Sequence, residues 1–446
     1  MTKKIALINP KGEQGSWWDS GLKLPPYALL LVETFVPYDW DVVLIDERVE
    51  PLPSLGSIDL ACGTAMTCTA PRLYKIADSL TAKEIPFVLG GFHPSSKQDE
   101  ASKHGTVVVG PAEGAFPEVL KDYERGKMKR VYYGSSRSLD TPRIPRFDLL
   151  RHKYPIQLVQ TKQGCPKGCE YCSVKNVYGV GSRYKSLNQV IAEVNATKCN
   201  RILFVDDHFN GINKQDRERT IELLKRLRDE TSIKYAIQAT VDFADDEKLL
   251  RYTSESGCVH ALMGFESKNP NSLREVKKTP NLRVGVDSYK DGVRKLHDNG
   301  LSVSGTFIFG FDSDTRDVFQ GTVDFVKDAE IDSNRFEVLT PLPETVLYRR
   351  LFNEGRIIYT DYPNDWSRYD FLHANFQPKN MSPKELEFGA LEATKETSGS
   401  FLTCFERALT TVKNTGLSLS SVYAAGISFL LNKSCGEYAK ERLKTI

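Results

Sequence analysis

The first 135 residues alternate short apolar runs with segments whose apolar residues recur every three or four positions. A short apolar run predicts a buried strand, and the three-to-four spacing predicts an amphipathic helix. The predicted strands are 5–9, 42–46, 58–64, 86–89 and 106–109, with helices such as 27–36 and 71–82 between them. Strands that alternate with helices in this way predict an α/β fold with a doubly wound, Rossmann-like parallel sheet.

The same alternation returns further along the chain and then stops. Six further strands are predicted at 156–160, 201–206, 235–240, 259–265, 302–309 and 335–339, which indicates a partial barrel. Beyond them, helices are predicted at 347–355, 383–411 and 417–443, forming a small, mainly helical C-terminal domain. The domain limits expected from these patterns are 1–135, a linker at 136–154, 155–345 and 346–446.

Composition narrows the classes of function. Of the 446 residues, 26% are charged and 40% hydrophobic, as in soluble globular proteins. The 60 basic and 58 acidic residues nearly cancel, which argues against a nucleic-acid partner. The apolar stretch 422–431 is too short to span a bilayer, so it predicts a buried helix, with peripheral membrane contact left open. The first ten residues lack a signal-peptide core, so we expect a cytoplasmic protein.

Small and turn-forming residues follow the strands of the predicted first sheet. Ligands of such sheets bind at the carboxyl ends of the strands, and small residues there let a large flat ligand approach the backbone. No Gly-x-Gly-x-x-Gly follows the first strand, which disfavours a dinucleotide. The candidate ligand-binding residues at these ends are Asn9, Gly12, Thr64, Ala65, Met66, Thr67, Gly90, Gly91, Phe92, His93, Gly110 and Glu113.

Three cysteines, Cys165, Cys169 and Cys172, are spaced Cys-x-x-x-Cys-x-x-Cys just after the strand at 156–160. Three thiolates can hold three irons of a [4Fe-4S] cluster and leave the fourth iron open to an outside ligand. Zinc is the alternative, but a fourth Cys or His at a comparable spacing does not follow. A disulfide framework is disfavoured by nine cysteines without a secretory signal.

This cysteine loop, with Tyr171 before its last cysteine and with Gly164 and Gly168, resembles that of radical S-adenosylmethionine (SAM) enzymes. The resemblance implies an incomplete (β/α)6 barrel and an open iron that chelates the methionine end of SAM. It also implies cleavage of SAM to a 5'-deoxyadenosyl radical, anaerobic conditions, and an electron donor such as flavodoxin or ferredoxin. Arg183 resembles an arginine that follows the loop in this class, with a plain surface charge as the alternative.

The resemblance also assigns SAM contacts to the ends of the barrel strands. Asp206 and Asp207 occupy the place where the family receives the amino group of SAM, although carboxylates at strand ends are often helix caps. The residues expected to contact SAM are Tyr171, Asp206, Asp207, Gln238, Glu266, Ser267, Ile308, Gly310 and Leu339.

The first block resembles the cobalamin-binding domain of one class of these enzymes. The resemblance rests on Pro25-Pro26, the run 63–71, Gly90-Gly91-Phe92-His93-Pro94 and the turn 110–114. It implies that the strand-end residues above bind cobalamin. The motif Asp-x-His-x-x-Gly is absent, so His93 is interpreted as a turn residue rather than a cobalt ligand. A sheet retained without a corrinoid is the alternative.

Together these resemblances imply a cobalamin-dependent radical SAM methyltransferase that methylates an unactivated carbon. The aromatic residues of 366–376 favour a hydrophobic substrate such as a lipid, a tetrapyrrole or a natural product. That segment is either a substrate lid or a packed domain junction, and His373 within it is a candidate for proton transfer. The alternatives are a radical oxidative cyclase and a non-enzymatic iron-sulfur protein.

Overall fold

The computed structural model describes residues 2–12, 23–135, 138–211, 213–416 and 418–444. Its strands are β1 Lys4–Asn9, β2 Asp41–Asp46, β3 Leu60–Thr64, β4 Phe87–Gly90, β5 Thr106–Val109, β6 Val131–Tyr133, β7 Gln157–Val159, β8 Lys162–Gln163, β9 Arg183–Tyr184, β10 Arg201–Phe204, β11 Lys234–Ala239, β12 Cys258–Glu266, β13 Ser302–Phe309 and β14 Ser333–Val338.

The α-helices are α1 Tyr27–Glu33, α2 Ala70–Thr81, α3 Phe92–Ser96, α4 Gln98–Ala101, α5 Phe116–Glu124, α6 Val174–Tyr178, α7 Leu187–Ala196, α8 Lys214–Glu230, α9 Glu247–Glu255, α10 Pro270–Glu275, α11 Thr279–Val284, α12 Tyr289–Asp298, α13 Asp317–Asp328, α14 Val346–Asn353, α15 Pro383–Ser398, α16 Phe401–Thr415 and α17 Leu419–Leu443. Short 3-10 turns are present at Thr67–Thr69, Ala112–Gly114, Phe147–Leu149, Val241–Asp245, Val286–Ser288 and Asn364–Arg368.

The first sheet is parallel, with strand order β2-β1-β3-β4-β5-β6. Separate apolar cores cover its two faces, one including Leu73 and Phe87 and the other Leu30 and Phe116. The predicted doubly wound sheet is therefore confirmed. Strand β6 is an addition that the sequence pattern did not reveal, because it has three residues and only its middle one is buried.

The second sheet is also parallel, with strand order β14-β13-β12-β11-β10-β7. The six strands agree with the predicted partial barrel, and among the described residues the end strands β7 and β14 are not paired with each other. The largest apolar core of the chain packs on this sheet. The cysteine loop follows β8, which pairs antiparallel with β9 beside this barrel.

The C-terminal part is helical, as predicted, but its helices begin and end at positions other than those that the sequence pattern indicates. The single helix predicted at 383–411 is two helices, α15 and α16, which meet at Gly399 and Ser400. Ser400 begins the second helix, because its side chain accepts a hydrogen bond of 2.9 Å from the Thr403 backbone N–H. Helix α17 packs beside both and reaches the barrel, where Asn432 Nδ2 donates to the carbonyl of Asp332 at 2.8 Å.

Within the described ranges, none of the helices combines the length and the apolar character that a membrane crossing requires. The helix predicted at 422–431 is part of α17, and the peripheral membrane contact that the sequence left open stays untested. The domain limits at 1–135, 136–154, 155–345 and 346–446 also stay a prediction.

Candidate active site

The cysteine loop lies between β8 and α6, at the carboxyl end of the barrel. Backbone bonds hold it: Glu170 N–H donates to the Val276 carbonyl at 3.0 Å, and Cys172 N–H donates to the Cys169 carbonyl at 3.1 Å. Gly164, just before the loop, has φ 93°, and a Cβ there would collide with the Gly181 carbonyl oxygen. The loop therefore requires glycine at its start.

The thiols of Cys165, Cys169 and Cys172 are free and partly exposed. Burial raises the pKa of all three, that of Cys172 to about 12, so binding of a metal must displace their protons. In the described part of the chain, no three His, Cys, Asp or Glu side chains converge on a point that could hold a single ion. A four-iron cluster requires a different arrangement, because each thiolate binds its own iron.

Lys278 is a buried cation beside this loop that the sequence analysis did not single out. Its Nζ donates to Glu266 Oε1 at 2.5 Å and to Tyr171 Oη at 3.2 Å. Although burial opposes the charge, Glu266 and then Tyr171 and Cys169 hold the pKa of Lys278 well above its ordinary value. Two predicted SAM contacts, Tyr171 and Glu266, are thus brought together by one lysine.

The two neighbouring carboxylates after β10 have partners within the protein. Asp206 is fully buried and accepts hydrogen bonds from Thr161 N–H at 2.7 Å and Lys162 N–H at 3.0 Å. Asp207 Oδ2 accepts from Gly164 N–H at 2.7 Å, and burial raises the pKa of Asp207 to about 6. Both carboxylates therefore accept hydrogen bonds from backbone N–H groups just before the cysteine loop and hold this turn in place. Their contact with SAM stays a prediction.

The other predicted SAM contacts occupy the ends of β11 to β14. Gln238 is partly exposed, whereas Ser267, Ile308 and Leu339 are buried. Gly310 has φ 105°, and its hypothetical Cβ would lie 2.7 Å from Leu386 on α15, so packing of the C-terminal part already requires this glycine.

A cavity of about 560 Å³ joins the two sheets. One wall is the inner face of the barrel, with Leu158 of β7, Leu203 of β10 and Leu262 of β12. The opposite wall is formed by α1 and the carboxyl ends of β1, β3, β4 and β5, while Ile427 and Leu431 of α17 close a third side.

Most of the predicted cobalamin contacts line this cavity. The lining includes Asn9, Thr64, Met66, Gly90, Gly91, Phe92, Gly110 and Glu113. A Cβ on Gly90 would meet no atom within 4 Å, so the backbone at this strand end borders open space. A flat ligand can therefore approach the main chain at the switch point of the sheet.

Four predicted contacts lie outside the cavity wall. Gly12, Ala65, Thr67 and His93 are buried elsewhere. The ring of His93 faces Glu100, with Nε2 3.1 Å from Oε1, and burial lowers the pKa of His93. His93 lies within helix α3 rather than in a turn, and its relation to cobalamin stays a prediction.

The aromatic segment 366–376 packs at the junction of the first domain and the C-terminal part. Trp366 is fully buried, stacks on Tyr362 with ring centroids 3.7 Å apart, and donates from Nε1 to the carboxylate of Glu100 at 3.1 Å. His373 lies between Asp370 Oδ1 at 3.0 Å and Arg442 at 2.8 Å, outside the cavity wall. The packing alternative therefore accounts for Trp366, and proton transfer by His373 stays a prediction.

Sequence reasoning also missed polar residues inside the barrel. His260 of β12 and Arg335 of β14 both line the cavity. A signal for each was available in the sequence: His260 interrupts an apolar run in β12, and Arg335 alternates with the polar residues Ser333 and Glu337 along β14. Such alternation places them on one face, which here is the inside of the barrel.

Comparisons with known proteins agree with this architecture. The family model of the Radical SAM superfamily matches residues 159–326. Bacteriochlorophyllide d C-12(1)-methyltransferase from Chlorobaculum tepidum is 31% identical over 401 residues, covering 86% of this chain and 85% of that protein. Hopanoid C-2 methylase from Rhodopseudomonas palustris is 27% identical over 366 residues, covering 78% of this chain and 68% of that protein.

A solved structure matches nearly the whole chain. The radical S-adenosylmethionine methyltransferase TsrM from Kitasatospora setae, with cobalamin and a [4Fe-4S] cluster bound, aligns with 99% of this chain and 100% of its own. The TM-score is 0.69 at 15% identity, which establishes a shared fold. The order of sheet, barrel and helical C-terminal part is therefore common to both proteins.

Proposed function

The chain belongs to the radical SAM superfamily, and we propose that it is a cobalamin-dependent methyltransferase that acts on a carbon of an apolar molecule. One observation carries the proposal: a single cavity connects the strand ends of the first sheet with the inner face of the barrel. A methyl carrier on one wall and a substrate against the other would then share one space.

The residues that would hold the three groups are separate sets. Cys165, Cys169 and Cys172 would hold a [4Fe-4S] cluster, and Tyr171 and Glu266, which Lys278 bonds to one another, would contact SAM. The glycines and Thr64 at the strand ends of the first sheet would border cobalamin. When bound, the cluster supplies the electron that cleaves SAM, and the corrinoid carries the methyl group.

The side chains of the cavity exclude water and orient the substrate. Leu158, Leu203, Leu262, Ile427 and Leu431 offer apolar surface from both the barrel and α17. Apolar walls bind a hydrophobic molecule by removing its surface from water. They also keep water away from a reactive carbon.

Methylation is favoured over ring closure by the relatives. The two relatives compared above, both matching more than three quarters of this chain, are named as methylases of a bacteriochlorophyllide and of a hopanoid. We therefore propose a large apolar substrate of the tetrapyrrole or polycyclic lipid type. The electron would come from a small donor such as flavodoxin or ferredoxin.

The test is to purify the protein without oxygen, reconstitute it with iron, sulfide and cobalamin, and add reductant and SAM. We expect a corrinoid absorption spectrum in the washed protein and release of 5'-deoxyadenosine. Cys169→Ala should reduce 5'-deoxyadenosine at least about 100-fold, since removal of one metal ligand strongly weakens the site, yet leave corrinoid binding intact.

The matched control is Cys199→Ala, which removes a free, partly exposed thiol outside the cysteine loop and should leave both signals unchanged. Wild-type protein that retains no corrinoid would contradict the methyltransferase. Protein that forms no 5'-deoxyadenosine would contradict the radical chemistry altogether.

A further inference from the structure

Helix α14 and the turn after α10 form the protein surface beside the cysteine loop. Glu170, within the loop, donates its backbone N–H to the Val276 carbonyl at 3.0 Å, and its own carbonyl accepts from Leu347 N–H of α14 at 3.0 Å. Backbone hydrogen bonds therefore tie both elements to the loop that carries the cysteines. A molecule bound on their outer faces would lie next to that loop.

Two exposed cations lie on these elements. Lys277 Nζ is 2.9 Å from Glu170 Oε1, with 68% of the lysine side chain exposed and 10% of the glutamate side chain. Arg349 of α14 is 3.0 Å from Glu344, with 66% of the arginine side chain exposed and 36% of the glutamate side chain. In both ion pairs the cation is the more exposed partner, so an approaching molecule first meets positive charge.

Three further cations lie close to the loop. Lys97, at the end of α3, is 2.9 Å from Glu344, so that carboxylate is shared with Arg349. Arg274 of α10 and Lys175 of α6 are both exposed. Within the described residues, the ion pairs of all five cations involve two carboxylates, those of Glu344 and of the glutamate in the loop. This surface therefore carries an excess of positive charge.

Large apolar side chains lie among these charges. Val346 and Phe352 of α14 are each more than half exposed, and each is three positions from Arg349, which places the three side by side on the helix. Exposed apolar side chains with a charged rim are typical of protein-docking surfaces. Because α14 has eight residues and is about 12 Å long, the patch suits a small, transient interface.

The proposed chemistry needs an electron at this loop. A cluster held by the three cysteines must be reduced before SAM can be cleaved, and the electron has to come from outside the chain. Pro166 and Gly168 of the loop are exposed, so the loop itself reaches the protein surface. A positive patch beside it attracts an acidic protein and speeds their encounter.

We propose that the surface formed by Lys277, Val346, Arg349 and Phe352 docks a small acidic flavoprotein that delivers one electron to the cluster. The apolar edge of the flavin ring would face the two apolar side chains, and acidic residues around it would face the cations. The electron leaves a flavin hydroquinone anion, which becomes the neutral semiquinone, so no proton has to cross the interface. This inference rests on the proposed function, since it names the partner of the same site.

The first test measures binding. Flavodoxin, an acidic flavoprotein, is immobilised in its oxidised form, and the reconstituted enzyme is passed over it at low and at high salt. Arg349→Glu and Lys277→Glu should each raise the Kd at least about tenfold at low salt, because each reverses a charge of the patch. High salt should weaken binding of the wild type more than binding of either variant, since it screens exposed charges.

The matched control is Lys327→Glu. Lys327 is an exposed lysine that pairs with Glu396 at 2.6 Å, as Lys277 pairs with a glutamate. It lies in the last turn of α13, just before β14 begins, at the opposite end of the barrel from the cysteine loop. This variant should bind flavodoxin as the wild type does.

The second test measures electron delivery. Flavin semiquinone formation and 5'-deoxyadenosine release are followed with flavodoxin hydroquinone, and 5'-deoxyadenosine release is measured in parallel with dithionite, a small reductant that needs no docking surface. Arg349→Glu should slow the flavodoxin-driven signals at least about tenfold and leave the dithionite-driven rate unchanged. Since Lys277 contacts the cysteine loop, the iron content of Lys277→Glu is measured as well. If that content falls, Arg349→Glu decides the test, because Arg349 lies outside the loop.

Equal binding of flavodoxin by wild type and Arg349→Glu, binding that does not depend on salt, or failure of the wild type to bind flavodoxin would overturn the proposal. Tighter binding of an acidic ferredoxin than of flavodoxin would overturn the choice of a flavoprotein. If dithionite yields 5'-deoxyadenosine while the docking results fail, the partner surface is wrong and the proposed function stands. If neither reductant yields 5'-deoxyadenosine, the proposed function itself has failed, and the docking inference fails with it.

Discussion

Lys278 is a buried cation that depends on its ion pair with Glu266. Its side chain is 10% exposed and that of its partner Glu266 8%, so both charges lie out of water. Removing one partner of such a pair leaves a buried charge unpaired, which is more costly than removing both. The same ammonium also donates to Tyr171, next to Cys172 of the cysteine loop.

We predict that Lys278→Met lowers the free energy of unfolding by about 3 kcal/mol, because Glu266 is left without its cation. The double variant Glu266→Gln with Lys278→Met should recover a large part of that loss. Urea denaturation of the three proteins, followed by tryptophan fluorescence, measures this difference. A double variant no more stable than Lys278→Met would show that the pair is not coupled in this way.

The site residues differ in whether the sequence pattern alone reveals them. The three cysteines stand out by spacing alone, whereas nothing in the sequence pairs Glu266 with a lysine twelve positions later. That pair forms because α10 and the turn after it fold back over the end of β12. Spacing along the chain predicts chemistry only where the ligands share one loop.

At the scale of elements, the turn between β4 and α3 shapes the cavity. Gly91 has φ 97°, and a Cβ there would lie 2.5 Å from Thr64 Oγ1 and 2.9 Å from the carbonyl oxygen of Ala65. The turn after β4 is therefore pressed against the end of β3, and both strand ends border the cavity.

Gly91→Ala should accordingly weaken corrinoid binding at least tenfold, because the left-handed backbone and the contact with Thr64 force the turn to move. Gly56→Ala is the control, since a Cβ at that position meets nothing within 4 Å. The measurement is the corrinoid retained after gel filtration over a series of cobalamin concentrations. Equal retention by both variants would mean that this turn does not border the ligand.

Elements differ in how well the sequence pattern predicts them. Both sheets were predicted from apolar runs, because a parallel strand buried on both faces is apolar throughout. The break between α15 and α16 was missed, since a serine that caps a helix looks the same in sequence as one within it. Here tertiary packing decides, because the two helices turn to pack on α17.

For the whole molecule, the junction of the first domain with the C-terminal part depends on Glu100. Its carboxylate accepts bonds from Trp366 Nε1 at 3.1 Å and from Tyr74 Oη at 3.0 Å, and it faces His93. These donors hold the pKa of Glu100 below its usual range although burial opposes this. Residues more than 250 positions apart in the sequence are thereby joined by one hydrogen bond.

We predict that Trp366→Phe loosens this junction, because the phenyl ring cannot donate to the carboxylate. Limited proteolysis under native conditions should cleave the variant about tenfold faster than wild type, the change expected for a loss of about 1.4 kcal/mol in the opening free energy. Phe388→Leu, which trims an exposed ring on α15, serves as the control. An unchanged cleavage rate in Trp366→Phe would show that the hydrogen bond does not hold the junction.

The sequence by itself determined the α/β class, the order of the two sheets and the helical end, and the three-cysteine loop. These follow from local periodicity and from ligands that are close in sequence. Only the tertiary structure decided that Asp206 and Asp207 accept hydrogen bonds from the backbone before that loop. It also decided that His93 lies outside the cavity wall, beside Glu100, whereas Arg335 lies in that wall. The physical reason is that a side chain's partners are set by which elements pack together, and the residues that meet in this cavity come from α1, both sheets and α17.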